Sequence, residues 1–163
     1  VEEIGSALRE WLSGTKGTMV VGVGNPLRRD DYVGRWVVKE MEGKTPKSVL
    51  LVECDVFEDS LEQIFDFKPT HILLIDAALT GKGPGSISLK RVDELKELTP
   101  LSTHAIPIQA FCEYVVETTG AKVGILAIEP KETGFGEGLT PEVERAAKRL
   151  ERILLDVLGG HEA

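Results

Sequence analysis

The chain has 163 residues, enough for one domain with one substantial core. It is 42% hydrophobic and 28% charged, with a net charge of -8 and no basic cluster that would follow a nucleic-acid backbone. Its longest apolar runs are about six residues, too short to cross a bilayer. No charged-then-apolar leader opens it. The expected setting is cytoplasmic, with no nucleic-acid partner and no membrane insertion.

Residues 2–13 read as an amphipathic helix, with Ile4, Leu8, Trp11 and Leu12 on one face. Met19 to Val23 reads as a buried strand. Asp31 to Met41 reads as a helix whose inner stripe is Val33, Trp36, Val37, Val38 and Met41. Ser48 to Val52 is the next strand, and Leu61, Ile64, Phe65 and Phe67 mark a short helix. "HILLID", His71 to Asp76, is another buried strand. A glycine-rich turn from Gly81 to Gly85 leads into the short strand "SISLK". Pro107 suits the first position of a helix running to about Thr119, where Gly120 stops it. "KVGILAI" is a strand. A loop with Gly134, Gly136 and Gly138 follows, and Pro141 opens a last helix carrying Val143, Ala146, Ala147, Leu150, Ile153, Leu154 and Val157.

This alternation predicts an α/β fold. It is a single-domain, three-layer arrangement over residues 1–163, with a mostly parallel twisted sheet of about five strands and helices on both faces. In such sheets ligands bind beyond the carboxyl ends of the strands. The polar residues expected there are those of "GVGNPLRRDD", Asp76 after "ILLI", His104 in "LSTHAIP", and Glu129.

The turn after the first strand invites a nucleotide reading. A dinucleotide fingerprint requires a third glycine, yet Leu27 occupies that place, and no Lys-Ser/Thr pair makes a P-loop. Asp30 and Asp31 would repel a pyrophosphate. The glycines are better explained by a sharp bend and close packing. Capping accounts for one aspartate, Asp30 as N-cap with Asp31 in the first turn. The functional alternative points Asp31 into the strand-end crevice. Asp76 reaches the same rim, either as a hydrogen-bonded turn residue or as a functional carboxylate, since burying an unpaired one costs several kcal/mol. His71 reads as an exposed or edge histidine, and His161 as a solvated tail residue. His104 is either a solvated loop residue or a partner of the two aspartates. Two carboxylates and an imidazole would suit a divalent cation such as zinc or nickel. Cys54 and Cys112 lack a zinc-ligand spacing and read as reduced, buried thiols, Cys112 within a helix core.

"GVGNPLRRDDYVG", "PTHILLIDA", "STHAIP" and "IEPKETGFGEGLTPEVERAAKRL" occur in this order between Val20 and Leu158. Together they resemble the maturation endopeptidases of nickel–iron hydrogenases, closest to the hydrogenase-3 type. The resemblance implies a twisted sheet between helices. It implies removal of the C-terminal extension of a hydrogenase large-subunit precursor after nickel insertion. It also implies that Asp31, Asp76 and His104 are the metal-binding and catalytic residues. The metal is then expected to be nickel carried by the substrate, with zinc or another divalent ion held by the enzyme as the alternative. No acyl-enzyme is expected. Two departures accompany the resemblance. Cys54 and Asp55 stand where the family often has glycines, in a turn expected to face the substrate. The helix at 2–13 precedes the usual start and is expected to be a packed extension and a candidate subunit contact in a homo-oligomer. A non-cleaving nickel-binding chaperone and a general small peptidase of similar fold remain alternatives.

Overall fold

Strand β1 (Thr18–Val23) is buried along its whole length between two parallel neighbours, β2 (Val49–Cys54) and β3 (His71–Leu79). This computed structural model describes residues 2–100 and 107–159. Strand β6 (Lys122–Ile128) continues the parallel sheet beyond β3, and β4 (Ile87–Arg91) closes that edge antiparallel to β6. The order is β2-β1-β3-β6-β4, with a two-residue β5 (Thr99–Pro100) paired antiparallel to the end of β3.

Side chains alternate across the sheet and build two cores. Val20, Leu73, Ile75 and Leu126 meet α2 (Val33–Met41) and α5 (Pro141–Gly159) on one face. The predicted inner stripe of α2 is buried at Val33, Val37, Val38 and Met41, as are Val143, Ala147, Leu150 and Leu154 of α5. Met19, Val21, Ile72, Leu74 and Ile125 face the other way, toward α3 (Leu61–Phe67) and α4 (Ile108–Thr119). Phe57 and Phe111 pack edge-to-face there, 5.0 Å between ring centres.

The amino-terminal helix α1 (Glu2–Trp11) belongs to the first core: Leu8 is fully buried and Trp11 packs against Gly124 of β6. It is packed, as its apolar face predicts. None of the described helices is long and apolar enough to cross a membrane.

Several elements differ from their predicted form. Helix α2 begins at Val33 rather than Asp31, because Arg29–Tyr32 forms a separate 3₁₀ turn with Arg29 at φ 49°. Strand β3 continues past Asp76 to Leu79, since β5 pairs with Ala78 and Leu79. Strand β2 is shifted toward Cys54. Pro107 caps α4 rather than opening it, and Phe65 is exposed.

His71 is a clear correction. It is buried, because β3 is a central strand flanked by β1 and β6. Thr70 Oγ1 lies 2.8 Å from its Nδ1, and Trp11 meets its ring edge-on at 5.1 Å. Burial, joined by the nearby Lys122 charge, pushes its pKa below the ordinary value.

Candidate active site at the carboxyl ends of β1 and β3

The chain leaves β1 toward β2 on one side and leaves β3 toward β6 on the other. The crevice between β1 and β3 is therefore the switch point at which open α/β sheets take their ligands. Pairing between the two strands ends at Gly22–Ile75, so Asp76 is the first β3 residue without a β1 neighbour. Its other side stays paired with Ala127 of β6. Asp76 thus stands on the rim although β3 itself continues.

Three glycines bring helix α2 onto this rim. A Cβ at Gly22 would lie 2.4 Å from the Gly34 carbonyl oxygen. One at Gly34 would lie 2.0 Å from the Ile75 oxygen and 2.6 Å from the Val23 oxygen. One at Gly24 would lie 2.2 Å from the Asp31 oxygen. The glycines thus serve backbone-to-backbone packing between α2, β1 and β3.

Asp31 enters the rim from the 3₁₀ turn, its Oδ2 accepting the Asn25 N–H at 3.1 Å. Asn25 Oδ1 in turn accepts the Leu27 N–H at 2.9 Å, which orders the turn. Asp76 Oδ1 accepts the N–H of Ala77 at 2.8 Å. Burial drives the Asp76 pKa well above the usual carboxylate range, and the Asp31 charge raises it further against the opposing Ala77 hydrogen bond. Leu74, Leu95, Leu98 and Ile125 line a cavity of about 20 Å³ beside Asp76, room for about one water. The Asp31 charge thus reaches Asp76 across the rim.

His104, the expected third member, lies outside the described residues. Among the described residues no three His, Cys, Asp or Glu side chains form a metal-holding group.

Asp30 is not an N-cap. Fully buried, it accepts from the opposite loop: the N–H groups of Lys131 and Glu132 at 2.9 Å, and the N–H and hydroxyl of Thr140 at 2.8 Å. No local signal in "RRDDY" discloses partners so far along the chain. Glu129, at the end of β6, plays a parallel part. Its Oε1 accepts from the Thr80 N–H, the Thr80 hydroxyl and the Lys82 N–H, closing the β3–β4 turn. Burial alone would raise its pKa; these hydrogen bonds outweigh that and lower it.

Cys54 and Asp55 sit beside the rim at the end of β2. Arg35 of α2 joins Asp55 to the turn after β1, donating to Asp55 at 3.0 Å and to the Gly24 carbonyl at 3.3 Å. Arg35 also reaches Glu53 at 3.4 Å. Cys54 is half-buried rather than buried, and its thiol is pushed up to about 12, chiefly by burial and then by Asp59. Such a thiol is protonated at neutral pH and is no nucleophile. Cys112 is buried in α4, as expected. A larger groove, about 640 Å³, opens at the opposite rim among Lys16, Thr18, Ser48 and Phe67, away from both aspartates.

A profile described as hydrogenase maturation protease matches residues 37–157. A Methanocaldococcus jannaschii protein named as a hydrogenase maturation protease is 32% identical, over 93% of this chain and 94% of its own. The hydrogenase 3 maturation protease of Escherichia coli is 28% identical, over 77% of this chain and 81% of its own. The crystal structure of the [NiFe] hydrogenase maturation protease HycI from Thermococcus kodakarensis superposes with a TM-score of 0.83 at 28% identity, covering 93% of this chain and 98% of that one. With the profile spanning most of the sequence and the fold and rim in agreement, the chain belongs to the hydrogenase maturation proteases, endopeptidases that trim the C-terminus of the hydrogenase large subunit.

Proposed function

We propose that the Asp31–Asp76 rim, completed by His104, hydrolyses the peptide bond that joins the C-terminal extension to a nickel-loaded large-subunit precursor. The observation that carries this reading is the burial of two carboxylates, Asp31 and Asp76, at the switch point of the sheet, where burial and the Asp31 charge raise the Asp76 pKa. Two acidic groups forced together out of water call for a cation or a shared proton. An oxygen-rich pair completed by one imidazole suits a borderline divalent ion. That chemistry fits the metal use of this protease family. Nickel is here part of the substrate. Asp31, Asp76 and His104 would hold it and so admit only precursor that has received it.

The chain's own contribution to the reaction is acid–base. A rim carboxylate takes a proton from water as the water oxygen bonds to the scissile carbonyl carbon. The same proton passes to the amide nitrogen as the carbon–nitrogen bond breaks, leaving a carboxyl end and a free amine. With the Cys54 thiol protonated and Cys112 in the core, the reading has no thiol acyl-enzyme.

Mass measurement of precursor incubated with chelator-stripped enzyme tests the reading. Nickel-loaded precursor loses its extension and nickel-free precursor does not. Cleavage of the nickel-free form would refute nickel sensing. Loss of all cleavage on chelation, restored by zinc, would assign the metal to the enzyme.

A further inference from the structure

Leu27 and Phe135 are 55% and 85% exposed. Single exposed apolar side chains are ordinary on protein surfaces. These two stand on separate loops that the fold joins. Arg28 and Gly136 form a parallel β-bridge, and the Gly136 N–H donates to the Leu27 carbonyl at 2.9 Å. The Arg28 guanidinium lies 5.3 Å from the Phe135 ring centre while its Nε donates to the Thr133 carbonyl at 3.1 Å. Arg29 donates through its N–H to Gly136 and through its Nε to Gly138, both at 3.2 Å. Asp30 ties the same loops from beneath through four hydrogen bonds. The backbone beneath both apolar side chains is ordered before any partner arrives, so covering them costs little ordering entropy. Beside Leu27 a groove of about 430 Å³ runs over Tyr32, Trp36 and Leu139.

We infer that Leu27, Phe135 and this groove form the dock for the large-subunit precursor, which covers them with an apolar patch of its own surface. The inference rests on the proposed reading of the rim. Leu27 is four residues from Asp31 on one turn, at most about 14 Å along the chain. A precursor whose peptide bond lies over Asp31 and Asp76 therefore passes within about 14 Å of this turn. The dock and the rim share the turn after β1, which carries Leu27, Asp31 and Tyr32. A buried apolar pair at the centre of such a contact carries a large share of its affinity.

The test is the Kd of the full-length enzyme for immobilised nickel-loaded precursor, read from the first seconds of association. Three forms are compared: wild type, Leu27→Ser/Phe135→Ser, and Leu27→Met/Phe135→Leu. Serine at both positions weakens binding by about tenfold or more, whereas the apolar pair stays within about threefold of wild type. In cleavage, the serine form raises KM and leaves kcat within about twofold, because neither residue belongs to the acid–base machinery. Equal Kd for all three forms, or no binding by the wild type, would overturn the dock. So would unchanged precursor binding together with loss of self-association in the serine form, which would assign the patch to a second copy of this chain. Wild-type binding without cleavage would instead count against the Asp31–Asp76 reading and leave the dock standing.

Discussion

Thr140 donates to both oxygens of the Asp30 carboxylate, its N–H to Oδ1 and its hydroxyl to Oδ2, each at 2.8 Å. The two residues are 110 positions apart, and their contact joins the turn after β1 to the loop before α5. A fully buried carboxylate is tolerated here because it accepts four hydrogen bonds. Asp30→Asn puts an NH₂ group against these donors. We expect a loss of about 2–4 kcal/mol, read as a lower urea midpoint. Thr140→Ser keeps both donors and should stay within about 1 kcal/mol of the wild type.

Asp76 presents the opposite balance. Its pKa is raised in the folded chain, so the folded state holds a proton that the unfolded state releases more readily. The group costs nothing below the unfolded pKa. Its penalty grows as pH rises toward the folded pKa and is complete above it. Asp76→Asn should therefore abolish cleavage while melting higher than wild type near neutral pH, with the difference shrinking in acid. Thermal melts at several pH values check the sign; a variant that is less stable at neutral pH would contradict it.

His71 titrates with the reverse sign. Its folded pKa lies below the ordinary histidine value, so the unfolded chain binds the proton more readily. The stability tied to neutral His71 is complete above the unfolded pKa and is lost as pH falls toward the folded one. His71→Phe removes this titration and should flatten the decline in urea midpoint between about pH 7 and about pH 5.

Both cysteines should resist alkylation. With thiols at about 12, roughly one part in 10⁴ is thiolate at pH 8. In iodoacetamide labelling followed by mass spectrometry, half-buried Cys54 should react slowly and buried Cys112 only after urea unfolding. Rapid labelling of Cys112 in the native protein would show that α4 opens.

Much of this fold can be read directly from the chain, because its helices carry clear stripes and β6 coincides with "KVGILAI". The stripes of α2 and α5 depend only on neighbours three and four positions away, which periodicity captures. Strand order does not show in periodicity. That is why His71 reads as an edge residue when it lies between β1 and β6. Asp30 fails for the same reason: "RRDDY" suggests a cap, whereas its partners are Lys131, Glu132 and Thr140. The β5 pairing that extends β3 involves two residues, too few for a pattern. Asp76 draws notice in the sequence because a carboxylate ending an apolar run is costly, and the structure does bury it at the strand end.

The backbone contact at Gly34 bears on how this family can diverge. Helix α2 touches the Ile75 and Val23 carbonyls with no side chain between them. The approach of α2 to the two strand ends is at this point set by peptide groups, which every sequence shares. Side chains elsewhere on α2 can then change without altering this approach. A TM-score of 0.83 at 28% identity is the outcome such an arrangement permits.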